Sequence, residues 1–240
     1  MGLRVTKRIK KKVLDRRLMG SIDYWWNPEL GVAWGGPFNG QTFRQAVFKE
    51  LLAALAPAAI VETGTYRGTT TELLAESGLP VFTIEVRPRN YGFARARLRQ
   101  HANVTLRHGD SREVLRSLLD GPLRQLSHRP LFFYLDAHWK GELPLAAEID
   151  LVYARCPAAI VMIDDFQVPG DAGYAYDDYG PGKALTPAYI APAIAAHGLA
   201  AFYPSTPSAE ESGARRGCVV LAKDAVHGRT LESLALLRRG

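Results

Sequence analysis

Carboxylates recur where apolar runs end: Glu62 after AAIV, Glu85 after VFTI, Asp110 after VTLRHG, Asp136 after LFFYL, and Asp164 and Asp165 after AIVMI. Glu85 follows Glu62 by 23 residues, the spacing at which a strand-end carboxylate accepts both hydroxyls of a ribose; a solvated strand end has the same look. Asp110, in HGDSREVL, suits either a helix cap or an adenine amino group, and Ser111 can share either task. Residues 58–72, AAIVETGTYRGTTTE, run from an apolar stretch through Gly64 and Gly68 into a segment with Thr69 and Glu72 at capping-box spacing. Glycine allows a sharp bend and close approach to a ligand, and the helix that follows offers unpaired N–H groups to an anion. An ordinary strand–helix turn shares this pattern.

These acids share an edge only if the strands that carry them are parallel. Strands are expected at 58–63, 81–86, 104–108, 131–136 and 159–165, alternating with helical segments of about 9 to 14 residues, as in a doubly wound sheet with ligands at the carboxyl ends of its strands. Residues 199–204 and 217–223 lack a helix between them and are expected to pair as an antiparallel hairpin. The expected fold is α/β, Rossmann-like and doubly wound, with a mostly parallel seven-stranded sheet over residues 42–240. Phe43, Val47, Leu51, Leu52 and Leu55 give its first helix.

With 240 residues, 47% hydrophobic and 22% charged, the chain is long enough for one well-buried core. No apolar run approaches the roughly 20 residues of a membrane span, and the charged N-terminus has no apolar stretch behind it, so a cytoplasmic chain is expected. Cys156 and Cys218 lack metal-ligand spacing. Residues 1–20 carry a net charge of +7, against +6 for the whole chain, so the basicity belongs to an arm and the remainder sums to −1. Within the arm Val5, Ile9 and Val13 recur at helical spacing, and Met1-Gly2 with Thr6 fits a loose acylation pattern. Residues 21–41 mix Tyr24, Trp25, Trp26, Trp34 and Phe38 with glycines and prolines; they are expected to avoid regular helix and to bury their aromatics over the body, as cover or as a lid on a ligand. Residues 1–41 are thus read as arm and cover.

In this order, VETGTYRG, Glu85, HGD, YLDAH and IDDF resemble class I S-adenosylmethionine-dependent methyltransferases. The similarity is strongest to the metal-dependent small-molecule O-methyltransferases, among them the macrocin and rhamnosyl O-methyltransferases and the cephalosporin-hydroxylase-like group, and it covers roughly residues 42–223. It implies S-adenosylmethionine held by Glu62, Gly64, Tyr66, Gly68 and Thr69 around the methionine part, by Glu85 at the ribose, and by Asp110 and Ser111 at the adenine, with Asp136 beside them. Tyr66 replaces the central glycine common in that loop. The resemblance also implies Mg²⁺ or Mn²⁺ on Asp136, Asp164 and Asp165, oxygen donors that suit a hard cation, with His138 as general base.

The 17-residue loop after IDDF, 167–183, brings Trp25 and Trp26 of the cover a possible counterpart in Tyr174, Tyr176, Asp178 and Tyr179, expected to line a polar or sugar-like acceptor site. The expected reaction is methylation of a hydroxyl on a small molecule such as a sugar, natural product or phenol. A nucleic-acid methyltransferase using the basic arm and a non-catalytic ligand-binding relative are the alternatives; no stable nucleic-acid partner is expected, and a homodimer is the commonest symmetric assembly. A nicotinamide dehydrogenase is disfavoured because the glycines are spaced G-x-x-x-G, and a P-loop enzyme because Arg67-Gly68-Thr69 is not G-K-[ST].

Overall fold

Five apolar runs become the strands β1 (Ile60–Thr63), β2 (Val81–Glu85), β3 (Val104–His108), β4 (Leu131–Leu135) and β5 (Ala159–Ile163) in a computed structural model that describes residues 16–138 and 143–240. The readings placed on Val5, Ile9, Val13 and the acylation pattern lie outside those residues. All five strands pair in parallel, and every residue of β1, β4 and β5 is buried, as a sheet covered on both faces requires. Successive side chains therefore enter opposite cores. Val61, Phe133 and Val161 face the side packed by α5 (Ser111–Asp120), α6 (Leu145–Tyr153) and α7 (Pro187–His197); Ile60, Phe132 and Ile160 face α2 (Thr42–Leu55) and α3 (Thr69–Ala75). Each such buried side chain contributes about 1.5–3 kcal/mol.

The antiparallel hairpin forms as expected from β6 (Leu199–Pro204) and β7 (Val219–Lys223), with β7 lying between β5 and β6. The sheet has eight strands, however, in the order β3-β2-β1-β4-β5-β7-β6-β8. The additional strand, β8 (Leu237–Arg239), pairs antiparallel to β6; three residues reading Leu-Arg-Arg carry no alternation that a sequence reading can use.

The cover departs further from expectation. Residues 16–26 form a helix, α1, followed by 3₁₀ turns at Pro28–Gly35 and Pro37–Gly40. The breakers all begin at Pro28, and the one glycine inside α1 is there for packing. A Cβ on Gly20 would lie 1.8 Å from the Arg89 carbonyl oxygen, and one on Gly92 would lie 1.9 Å from that of Arg17, so α1 and α4 (Pro88–Arg97) meet backbone to backbone. Nor are the aromatics uniformly buried: Phe38 enters the core against Phe48 and Tyr134, whereas Trp25, Trp26 and Trp34 are exposed.

Candidate cofactor and cation site

Strand order reverses between β1 and β4, and the crevice at their carboxyl ends is where an open α/β sheet takes its ligand. Gly64 sits at that point with φ +91°, and a Cβ there would fall 2.1 Å from the Asp136 carbonyl oxygen. Only glycine lets the turn after β1 run so close to the end of β4. The turn is closed by the Gly68 N–H donating to the Thr65 carbonyl at 2.8 Å, with Gly68 itself in the left-handed region capping α3. The expected capping box does not form. Thr69 Oγ1 donates to the Gly31 carbonyl at 3.2 Å, and Glu72 pairs with Arg97 at 2.6 Å, so Thr69 holds the cover segment and Glu72 the end of α4 rather than the turn.

A cavity of about 760 Å³ opens over this crevice, lined by Gly64, Tyr66, Glu85, Asp110 and Ser111 and by Asp136, His138, Asp164, Asp165, Asp177 and Arg216. Glu85 is anchored by two backbone amides. The Tyr66 N–H donates to Oε2 at 2.7 Å and the Arg87 N–H to Oε1 at 2.6 Å, which fixes the carboxylate plane between the glycine turn and the start of α4. Burial pushes the Glu85 carboxyl up to about 7 against those two donors. Asp110 is the cap its sequence allowed: its carboxylate accepts from the Arg112 N–H at 2.9 Å at the start of α5 and pairs with the Arg112 side chain, and it borders the cavity beside buried Ser111.

Glu62, Gly68 and Thr69 do not reach the cavity wall. Glu62 lies behind the turn, fully buried, accepting from the Thr71 and Thr83 hydroxyls at 2.5 Å each. Burial raises its carboxyl to about 7, with the two hydroxyls pulling the other way. The folded chain thus holds a proton on Glu62 that the unfolded chain releases near 4.5, so this group's contribution to stability is lost as pH rises from 4.5 through 7. The shift corresponds to about 3 kcal/mol. Glu62→Gln should remove much of that slope, read as the change in denaturant midpoint between roughly pH 5 and pH 8; an unchanged slope in the variant would mean that Glu62 is ionised in the fold.

Opposite Glu85 lies a cluster that differs from the expected triad. Asp136, His138 and Asp165 bring ligand atoms within 4.8 Å of one another. His138 Nε2 is buried, lacks a hydrogen-bond partner, and faces Asp136 Oδ1 at 3.7 Å, Asp165 Oδ2 at 3.8 Å and Asp177 Oδ2 at 3.9 Å. Burial disfavours its charged form, but Asp165, Asp136 and Asp177 outweigh burial and raise the imidazole above its ordinary range. Asp136 is held well above the carboxylate range by burial, with His138 opposing; burial opposes the charge of Asp165 too, yet His138 and Arg216 hold it down at about 2. Arg216 ties the cluster together, its Nε donating to Asp165 Oδ1 at 2.6 Å and its Nη2 to Asp177.

Asp164 is turned away from this cluster. It pairs with buried Arg44, accepts from Tyr134 Oη at 2.5 Å and Asn39 Nδ2 at 3.2 Å, and takes the Asp165 N–H at 2.8 Å. Its carboxylate is filled by the protein itself. The acceptor residues expected on the long loop and cover are also placed elsewhere. Tyr174 is buried and donates to the Thr206 carbonyl at 3.0 Å; Tyr179 donates to Asp177; Asp178 accepts from the Gly180 N–H at 2.8 Å; Tyr176 is half-buried. None of these four borders the cavity, nor do Trp25 and Trp26; Trp34, Asn39, Asp177 and Arg216 do. Arg44 was findable, since it shares the i, i+3, i+4, i+7 face of Val47, Phe48 and Leu51, where a charge demands a partner. Arg216 has no such signal.

The fold is shared with methyltransferases of known structure. A putative O-methyltransferase from Klebsiella pneumoniae superposes with a TM-score of 0.53 at 18% identity, over 88% of this chain and 89% of that one. The S-adenosylmethionine-bound amino pentose methyltransferase CalS10 from Micromonospora echinaspora gives 0.50 at 18% identity, over 78% and 93%. In sequence the chain resembles O-methyltransferases: it is 29% identical over 155 residues to the mouse (Mus musculus) transmembrane O-methyltransferase homolog, 56% of this chain and 58% of that protein, and 30% identical over 156 residues to the transmembrane O-methyltransferase of Macaca mulatta, 56% and 51%. The chain thus spans just over half the length of these relatives. No protein-family model matches it. Among the described residues no helix is long and apolar enough to cross a membrane.

Proposed function

We propose that the protein transfers a methyl group from S-adenosylmethionine to a hydroxyl of a small molecule, with a divalent cation held by Asp136, His138 and Asp165. The observation that carries this reading is the single crevice in which a carboxylate fixed by two backbone amides, Glu85, stands across from that cluster. In it, Glu85 accepts the ribose hydroxyls, Ser111 and the Asp110 edge border the adenine, and the turn at Gly64 and Tyr66 lies along the methionine part.

The orphaned Nε2 of His138, buried among carboxylates at distances too long for hydrogen bonds, fits a cation in the gap. A cation bound there supplies a Lewis-acidic centre that lowers the pKa of an acceptor hydroxyl. Because the set includes an imidazole, it favours Mn²⁺ over Mg²⁺, whose sites are built from oxygen alone. His138, expected from sequence to act as base, serves in this reading as a ligand. Arg216 holds Asp165 and Asp177 apart and in place.

Calorimetric titration with S-adenosylhomocysteine and with Mn²⁺, followed by methyl transfer from labelled S-adenosylmethionine to phenolic and sugar acceptors, tests the reading. Asp165→Asn should weaken Mn²⁺ at least about tenfold while leaving S-adenosylhomocysteine binding within about threefold. Full turnover in EDTA would remove the cation from the reaction. Tight cofactor binding without turnover on any acceptor would favour the non-catalytic alternative.

A further inference from the structure

Helix α1 is built the wrong way round for a surface helix. Its inward face carries Arg17, Gly20, Ser21 and Tyr24, the i, i+3, i+4, i+7 set, seated on α4: Ser21 Oγ donates to the Gly92 carbonyl at 2.9 Å and Tyr24 meets Phe93 edge to face at 5.4 Å. The one charged residue between Leu18 and Trp26, Asp23, is also turned inward, onto Arg89 in a bidentate pair of 2.6 and 3.0 Å. What remains for solvent is Leu18, Met19, Ile22, Trp25 and Trp26, with Leu18 61%, Trp25 60% and Trp26 79% exposed. An outward face with no polar side chain over two and a half turns is an apolar patch that marks an interaction surface.

Two further observations choose its occupant. The sequence leading into this helix is strongly basic, a net of +5 over residues 1–15, and Arg16 opens the helix with one more positive charge, while residues 21–240 sum to −1. At the other end of α1 the Arg99 guanidinium lies over the Trp25 ring, 4.5 Å from its centroid, so a cation stands at the edge of the apolar stripe. Indoles beside arginines, on an amphipathic helix with a basic approach, match the headgroup boundary of an anionic bilayer, where the rings enter the acyl edge and the cations meet phosphates. A nucleic acid would use the charge and leave Leu18, Met19 and Ile22 without a role; a second copy would use the apolar stripe and leave the charge repelling itself.

We propose that the outward face of α1, together with the basic arm, seats this protein on an anionic lipid surface as a peripheral, in-plane contact. The contact has two signals, apolar insertion and electrostatic attraction to anionic lipid, which together set the binding strength of an interfacial amphipathic helix. Because Gly20 and Gly92 lock α1 to α4 at backbone contact, the helix carries the whole α/β body with it to that surface.

The test uses the full chain and vesicles of phosphatidylcholine with or without phosphatidylserine. Co-sedimentation is expected with the anionic vesicles, weaker with phosphatidylcholine alone and weaker in high salt. The tryptophan emission should shift to the blue and be quenched by brominated acyl chains, a readout that needs no variant. Ile22→Ser/Trp25→Ser/Trp26→Ser should lose vesicle affinity at least about tenfold with an unchanged circular dichroism melt. Protein that stays in the supernatant, emission untouched by brominated lipid, or a well-folded triple variant that binds as before overturns the proposal. A dimer that the triple variant dissociates, with no vesicle binding, assigns the stripe to a second copy. RNA binding that is insensitive to the triple variant, again without vesicles, assigns the arm to nucleic acid.

Discussion

Glu85→Ala should weaken S-adenosylhomocysteine by about 100-fold or more, read by calorimetry at pH 8. The carboxylate is held in one plane by the Tyr66 and Arg87 N–H groups, which leaves its remaining lone pairs for the two ribose hydroxyls. A hydrogen bond to a charged group is worth about 1.5–3 kcal/mol, so losing two reaches that range even after solvent compensation. The same geometry sets a pH dependence. With the carboxyl pushed up to about 7, the ionised form that accepts both hydroxyls is the minority below that value, and affinity should fall about fivefold over the first unit of pH below it and level off above. A Glu85→Ala protein that binds S-adenosylhomocysteine normally would show that the ribose lies elsewhere in the cavity. A melting temperature that falls with unchanged affinity would assign Glu85 to tying the turn alone.

The second large effect concerns stability. Arg44 and Asp164 are 2% and 1% exposed and pair with each other; Arg44 also donates to the Arg216 carbonyl, and Asp164 also takes Tyr134, Asn39 and the Asp165 N–H. Removing one partner leaves a buried charge unpaired, at a cost of about 3–5 kcal/mol. Arg44→Leu and Asp164→Leu should each show that loss in denaturant unfolding, and the double variant should lose much less than their sum. Additive losses would mean that the two groups do not depend on each other. Asp164→Asn should move stability and leave Mn²⁺ affinity nearly unchanged; the reverse pattern would return Asp164 to the cation.

That reassignment shows where sequence reading stops. The acids were visible because each ends an apolar run, and the runs themselves placed five parallel strands and the hairpin correctly. The glycine turn was visible because Gly64 answers a backbone approach that no other residue permits. Which of Asp164 and Asp165 joins the His138 cluster was not, since neighbours at a strand end face opposite sides and the sequence offers both. Asp165 adopts φ +52°, a conformation imposed by its tertiary partners rather than encoded by its type. The loop tyrosines misled for a related reason. Tyrosine serves equally as a ligand contact and as a packed residue with one bonded hydroxyl, and Tyr174 and Tyr179 are spent on Thr206 and Asp177.

The short strand β8 has a bearing on how the molecule behaves in a crowded solution. Without Leu237–Arg239 paired to it, β6 would end the sheet as a bare edge of six residues, LAAFYP, a ready template for recruiting extended segments of other chains. With β8 in place the outermost rung is three residues long and presents Arg238 and Arg239, the latter bound across to Asp224 and Glu232. Protection of the Phe202–Pro204 half of that edge against strand recruitment therefore rests on three residues outside the crevice, and fraying there would expose it.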